Sequence, residues 1–255
     1  MNPVKIDPVW LMHIQKPARY IGGEWNSVVK DHDSVDVKVA LAFPDVYEVA
    51  MSHLGLKIIY SVLNARDDTL AERVYAPWVD MEALMREKHI PLYTLESKCP
   101  VKDFDVLGFT MPFEMCYTNI LNMLDLSGIP LLASDRSDED PIVVSGGPCV
   151  YNAEPVADFF DVFFIGESEE AIGEMADIVK AWKKEGKPGG RREIIRRMAS
   201  IRGCYAPSLY KVSYYENGVF RSIAPTDEAA QFPVEKRLTE VYAAYGALKT
   251  GNMQP

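Results

Sequence analysis

The chain has 255 residues, of which 48% are apolar and 25% charged, and a mean hydropathy of −0.09. These values exclude collagen-like, disordered and membrane-spanning classes and allow a core that needs no disulfide or metal staple. A formal charge of −10 and a pI near 5.0 argue against nonspecific attraction to nucleic acid or anionic membrane. The start, MNPVKIDPVW, lacks a basic segment leading into an apolar one, and a cytoplasmic protein with reduced thiols is expected.

Residues 1–36 read as a polar, irregular lead-in, with Pro3, Pro8, Pro17 and the pair Gly22-Gly23. From Val37 short apolar runs alternate with longer amphipathic segments, the pattern of βαβ units and a parallel sheet. VKVALAFP is the first strand, and LGLKIIYSVLNAR a helix with Leu56, Ile59, Tyr60 and Leu63 on one face. LAERVYAP is the second strand, VDMEALMREKH a helix, and PLYTLE a short third strand. DVLGFTMP reads as a fully buried strand, and CYTNILNMLDLSG as a helix closed by Gly128 at C′.

IPLLAS, an acidic loop from Asp135 to Asp140, the strand PIVVS, the strand DVFFIG and the helix SEEAIGEMADIVKAWKKEG follow. Six or seven strands and four or five helices between residues 37 and 186 predict an α/β fold, a doubly wound parallel sheet of the Rossmann or flavodoxin kind. A basic stretch from Lys183 to Arg197, a short helix and the hairpin YKVSYYENGVFRSI come next, and the Asn217-Gly218 pair is a type I′ turn signal. The expected divisions are 1–36, 37–186, a linker helix and hairpin over 187–232, and a tail over 233–255.

In such a sheet the ligand crevice lies at the carboxyl ends of the strands, so the strand-to-helix loops are the candidate sites. Three stand out. The loop Asp45 to His53 carries an acid, a phenol and an imidazole just before a helix; it reads equally as a polar loop in which Ser52 caps that helix. Ser145-Gly146-Gly147-Pro148-Cys149 offers a bare backbone to a flat ligand, or simply a tight turn needing positive φ. Gly166-Glu167-Ser168-Glu169-Glu170 opens a helix, where acids complement the helix dipole, and Glu167 is the member expected to face the crevice.

Common cofactor signatures are missing: there is no GxGxxG, GxxxxGK[ST] or HExxH. The cysteines Cys99, Cys116, Cys149 and Cys204 stand 17, 33 and 55 positions apart, too far for a local metal or iron–sulfur motif, and Cys116 and Cys149 read as small buried hydrophobes. The first loop also lacks the Ser, Thr and Gly run that would cradle a flavin phosphate. The basic stretch reads as a solvated helix surface or, against the acidic background, a docking patch.

Taken together, FPDVYEVAMSHLGLKIIYSVLN, ERVYAPWVDMEALMREKHIPLYTLES, DVLGFTMPFEMCYTNILNMLDLSGIPLL and VVSGGPCVYNAEPVADFFDVFFIGESEEAI resemble the N-terminal half of B12-binding-domain radical SAM proteins. The last segment is the most specific, with a GGP turn followed by a strand ending in GExE. The resemblance continues through RGCYAPSLYKVSYYENGVF and covers residues 18 to 237.

This resemblance implies a cobalamin-binding-like domain followed by a partial barrel that binds [4Fe–4S] through CxxxCxxC and cleaves S-adenosylmethionine. Here no CxxxCxxC occurs before Pro255, so the chain is expected to be a fragment or truncated product, inactive alone, with its barrel partner in cis or in trans. The corrinoid signature DxHxxG is absent too, because Met51 stands where its Asp would and Gly55 comes one residue early after His53. By resemblance Asp45, Tyr47, Glu48, His53, Pro112, Glu114, Ser145, Gly146, Gly147, Pro148, Gly166 and Glu167 would border cobalamin or a small-molecule substrate and face the barrel. The alternative is a ligand-free module that docks onto a separate catalytic polypeptide. No catalytic residue and no metal ligand is assigned.

Overall fold

The computed structural model describes residues 1–239; the remainder of the expected tail, 240–255, lies outside the described residues. In chain order the elements are α1 (Pro8–Leu11), β1 (Val37–Phe43), α2 (Tyr47–Ala50), α3 (Leu54–Asn64), β2 (Thr69–Tyr75), α4 (Val79–Lys88), β3 (Val106–Thr110) and α5 (Tyr117–Leu126). Then come β4 (Ile142–Gly146), β5 (Val162–Phe164), α6 (Ala171–Lys184), α7 (Gly190–Ala199), β6 (Cys204–Tyr205), β7 (Tyr210–Tyr214) and β8 (Phe220–Pro225).

Among the described residues six strands form one sheet in the order β2-β1-β3-β4-β5-β6, and β7 and β8 form a separate antiparallel pair. β1 to β5 run parallel, and β6 closes the sheet antiparallel to β5. The order 2-1-3-4-5 is that of flavodoxin-like doubly wound sheets, whose switch point lies between β1 and β3. The expected α/β architecture with a C-terminal hairpin is therefore present.

Alternation along β1 builds both layers. Val37, Val39, Leu41 and Phe43 face a core completed by α3, α6 and α7, through Leu56, Leu63, Met175, Val179, Ile194 and Met198. Ala40 and Ala42 face the opposite core, where α4 and α5 contribute Met81, Met85, Ile120 and Met123. Helix α7 and strand β6, which the sequence assigned to the linker, pack into the first core through Ile195, Ala199 and Cys204. Burial in both layers explains why the parallel strands read as continuous apolar runs.

Several local expectations need correction. Five strands, not six or seven, fall between residues 37 and 186. PLYTLE is not a strand: its residues make only one bridge, Tyr93 to Pro100, because their amides serve other partners, Leu92 N–H donating to Leu126 and Leu95 N–H to Arg73. IPLLAS ends in a 3-10 turn over Ala133–Asp135. The hairpin turn is not type I′, because in the expected central pair Asn217-Gly218 only Gly218 has positive φ, at 79°; Gly218 N–H donates to Tyr215 O and Tyr215 N–H to Val219 O, a type I turn centred on Glu216 and Asn217 with Gly218 as the glycine bulge.

The lead-in covers the edge strand β2, which would otherwise offer an open ladder. Lys30 Nζ donates to the carbonyls of Asn64 and Thr69, and His32 Nε2 lies 3.0 Å from the buried Glu72. Arg73 pairs with Glu24 and Glu96. No helix of the described residues is long and apolar enough to cross a membrane.

Candidate functional site

The site follows from one missing side chain. Leu41, Gly108 and Val144 are register mates across β1, β3 and β4. A Cβ on Gly108 would sit 3.6 Å from Val144 Cγ2 and 3.7 Å from Leu41 Cδ2, so the glycine leaves a gap in the middle of an apolar row. Above that gap, at the carboxyl ends of the strands, lies a cavity of about 270 Å³. Phe164 completes its floor, Leu56 and Ile59 of α3 form one wall, and Ile172 of α6 forms the other.

The rim is built by the loops that the sequence singled out. His53, Ser145, Gly146, Gly147, Gly166 and Glu167 all line the cavity. His53, not Ser52, caps α3: its Nδ1 accepts from Leu56 N–H at 3.1 Å, whereas Ser52 Oγ donates back to Val49 O. Its ring packs on Phe43 at 4.9 Å, and burial holds its pKa below the ordinary histidine value. Because Nδ1 is an acceptor, the proton of the neutral ring sits on Nε2, so His53 brings a donor to the rim.

Gly147 has φ 110°, and a Cβ there would lie 2.8 Å from Met111 O; Cys149 N–H and Met111 N–H bind the turn to β3 through Met111 O and Gly146 O. The tight-turn reading of this glycine is therefore correct, and the same turn forms the rim. Ser145 Oγ donates to Phe109 O at 3.1 Å and is buried. Glu170 begins α6 without a side-chain cap bond; it pairs with Arg237 at 3.0 Å instead.

The other expected site residues lie apart from the cavity. Asp45 accepts from Val46 N–H. Tyr47 packs edge-on against Tyr75 at 5.8 Å and lines a small separate void beside Arg19 and Tyr20. Glu48 pairs with Lys16 at 2.8 Å and Arg19 at 2.9 Å, and those cations hold its carboxyl down to about 2. Pro112 is half-buried, while Glu114 and Pro148 are exposed. The sequence reading missed Gly108, Leu41, Val144 and Phe164, although a glycine inside a buried strand is a signal of close approach or open space.

The sheet's carboxyl edge carries exposed apolar side chains on each of its first four loops. Val49 and Leu54 follow β1, Trp78 follows β2, Phe113 and Met115 follow β3, and Tyr151 follows β4, with Met115 86% exposed. By contrast five cations of the basic stretch are paired with acids of the fold. Lys183 pairs with Asp105, Lys184 with Asp36, Arg191 with Asp161, Arg196 with Asp227 and Arg197 with Glu185.

All four cysteines are buried and free, and burial pushes the Cys116 thiol up to about 11. Among the described residues no group of three or more His, Cys, Asp or Glu is placed to hold a metal ion.

The chain is 28% identical over 133 residues to an uncharacterized protein of Methanocaldococcus jannaschii, an alignment covering 51% of this chain and 24% of that one. The chain thus spans about a quarter of that relative's length. Structures of the radical S-adenosylmethionine methyltransferase TsrM from Kitasatospora setae align with a TM-score of 0.37. One, with tryptophan and a SAM analog bound, is 16% identical over 71% of this chain and 29% of its own. The other, with cobalamin and a [4Fe-4S] cluster bound, is 15% identical over 76% of this chain and 31% of its own. The model of the N-terminal region of radical SAM proteins matches residues 55–207, more than half the chain, and the chain belongs to that family.

Proposed function

We propose that this chain binds a corrinoid, cobalamin, at the carboxyl edge of its sheet and presents it to a radical SAM barrel carried in cis or in trans. The observation that carries this reading is the cavity over Gly108, set at the switch point where doubly wound sheets bind ligands. At about 270 Å³ it is near the lower limit of small-molecule pockets, which run from ~300 Å³ upward. It has room for a flat bicyclic group such as cobalamin's base and not for the macrocycle, which would lie outside on the rim.

The residues fit such a group. Leu41, Val144, Phe164 and Ile172 offer an apolar slot, and the Gly146-Gly147 turn presents backbone without side chains. His53 would offer its Nε2 proton to an acceptor of the ligand. It does not offer a lone pair to cobalt, because placing the proton on Nδ1 would break the Leu56 cap. When bound, cobalamin supplies a cobalt centre that can carry an alkyl group. The four buried, dispersed thiols do not suit a [4Fe–4S] cluster, so cluster and S-adenosylmethionine chemistry is assigned to the barrel.

Hydroxocobalamin titrated into the purified chain tests this reading. A shift in its visible spectrum with co-elution on gel filtration is expected, and no binding at high micromolar concentration would contradict it. The exposed rim of Phe113, Met115, Trp78 and Tyr151 favours a second role, docking onto the catalytic polypeptide. Capture of a CxxxCxxC-containing barrel without corrinoid would make docking the primary function.

A further inference from the structure

The chain returns to the sheet after the hairpin. Arg237 N–H donates to Ile165 O at 2.9 Å, and Glu167 N–H donates to Arg237 O at 3.0 Å, a parallel bridge that extends β5 beyond its carboxyl end. Thr239 N–H donates to the Glu167 carboxylate, and the Arg237 guanidinium is held by Glu170 and Glu174. Thr239 is buried, at 8% exposure.

Local geometry at Gly166 is shaped for this contact. Gly166 has φ 107°, and a Cβ on it would overlap the Arg237 carbonyl. Gly203 opens the other side, where a Cβ would sit 3.1 Å from Arg237 Cβ. Two glycines and one carboxylate thus converge on a single segment. Gly166 and Glu167 also form part of the cavity wall, so the same two residues border the cavity and seat the returning chain.

We propose that the Gly166-Glu167 turn is a docking socket for residues 236–239 and that Glu167 is a positioning residue. It fixes the position of Thr239 at the wall of the cavity. The GExE sequence then has two tasks: its glycine admits the returning backbone, and its first glutamate pins it. This role does not depend on the ligand, and it stands or falls separately from corrinoid binding.

Residue-resolved amide hydrogen exchange on the full chain tests it. The Arg237 and Glu167 amides should exchange at least about tenfold more slowly than the Gly218 amide at the hairpin tip. Thr239→Pro removes the donor to Glu167 without altering the cavity lining, and Gly166→Ala blocks seating sterically. Each should bring the Arg237 and Glu167 amides to the tip's rate while Val144 and Phe163 keep their protection. Glu167→Gln keeps an acceptor and should stay within about threefold of wild type. The proposal is overturned if the wild-type Arg237 amide exchanges as fast as Gly218. It is equally overturned if Thr239→Pro leaves Arg237 and Glu167 within about twofold of wild type. Should Gly166→Ala also lose protection at Val144, it has unfolded and Thr239→Pro decides.

Discussion

Leu56 donates its backbone N–H to Nδ1 of His53 at 3.1 Å, and this one bond ties the first turn of α3 to the rim of the cavity. The imidazole must be neutral to accept it. Replacing His53 by Ala removes an N-cap and should destabilise the protein by about 1 kcal/mol, whereas His53→Asn keeps a capping oxygen and should lose only a few tenths. Urea midpoints of the two variants measure the difference.

The same residue gives a pH dependence whose sign is set by its lowered pKa. As pH falls below about 6.5 the unfolded chain takes up the His53 proton first, so the unfolded state binds more protons and stability falls with pH. Above that value the group contributes no slope. Wild type should therefore lose stability between pH 7.5 and 5.5 by more than His53→Asn does, and equal losses would show that His53 does not titrate in this way.

Asp161 is a buried hub. Its carboxylate accepts from Arg136 at 3.1 Å, from Val143 N–H at 2.7 Å and from Arg191 at 2.6 Å, and burial lowers the pKa of Arg136. Asp161→Ala would strand two buried guanidinium groups and should destabilise by roughly 3–5 kcal/mol. A urea midpoint within error of wild type would contradict that account.

Most of the fold is legible because both faces of the parallel strands are buried. Periodicity and length then mark VKVALAF, VLGFT and IVVSG as strands and LGLKIIYSVLN as a helix. PLYTLE misleads because Leu92, Tyr93, Thr94 and Leu95 are all buried although the Leu92 and Leu95 amides serve separate partners, Leu126 and Arg73, and the segment makes only the one bridge, Tyr93 to Pro100. Burial gives apolar composition whether or not a ladder forms. At the site, loop composition identified His53, Ser145 and Gly166. The floor depends on Gly108 standing in register between Leu41 and Val144, and register between distant strands is not written in either strand alone. Glu48 attracted attention as an acid in a candidate loop, yet its charge is taken up by Lys16 and Arg19.

That ion cluster is itself testable. NMR titration should find the Glu48 carboxyl at about 2 instead of the ordinary 4.5, and a Lys16→Ala, Arg19→Ala double variant should return it to the ordinary range. Its stabilising effect is present above the ordinary value and is lost as pH falls towards about 2.

The central claim is that the gap over Gly108 receives the ligand, and filling that gap tests it most directly. Gly108→Val places a β-branched side chain that suits a central strand into the cavity floor, so the fold should keep its melting temperature or gain slightly. Visible-spectrum titration with hydroxocobalamin should show binding to wild type and at least about a tenfold loss of affinity in Gly108→Val. Equal affinity in the two proteins, or no binding to wild type, would contradict the account.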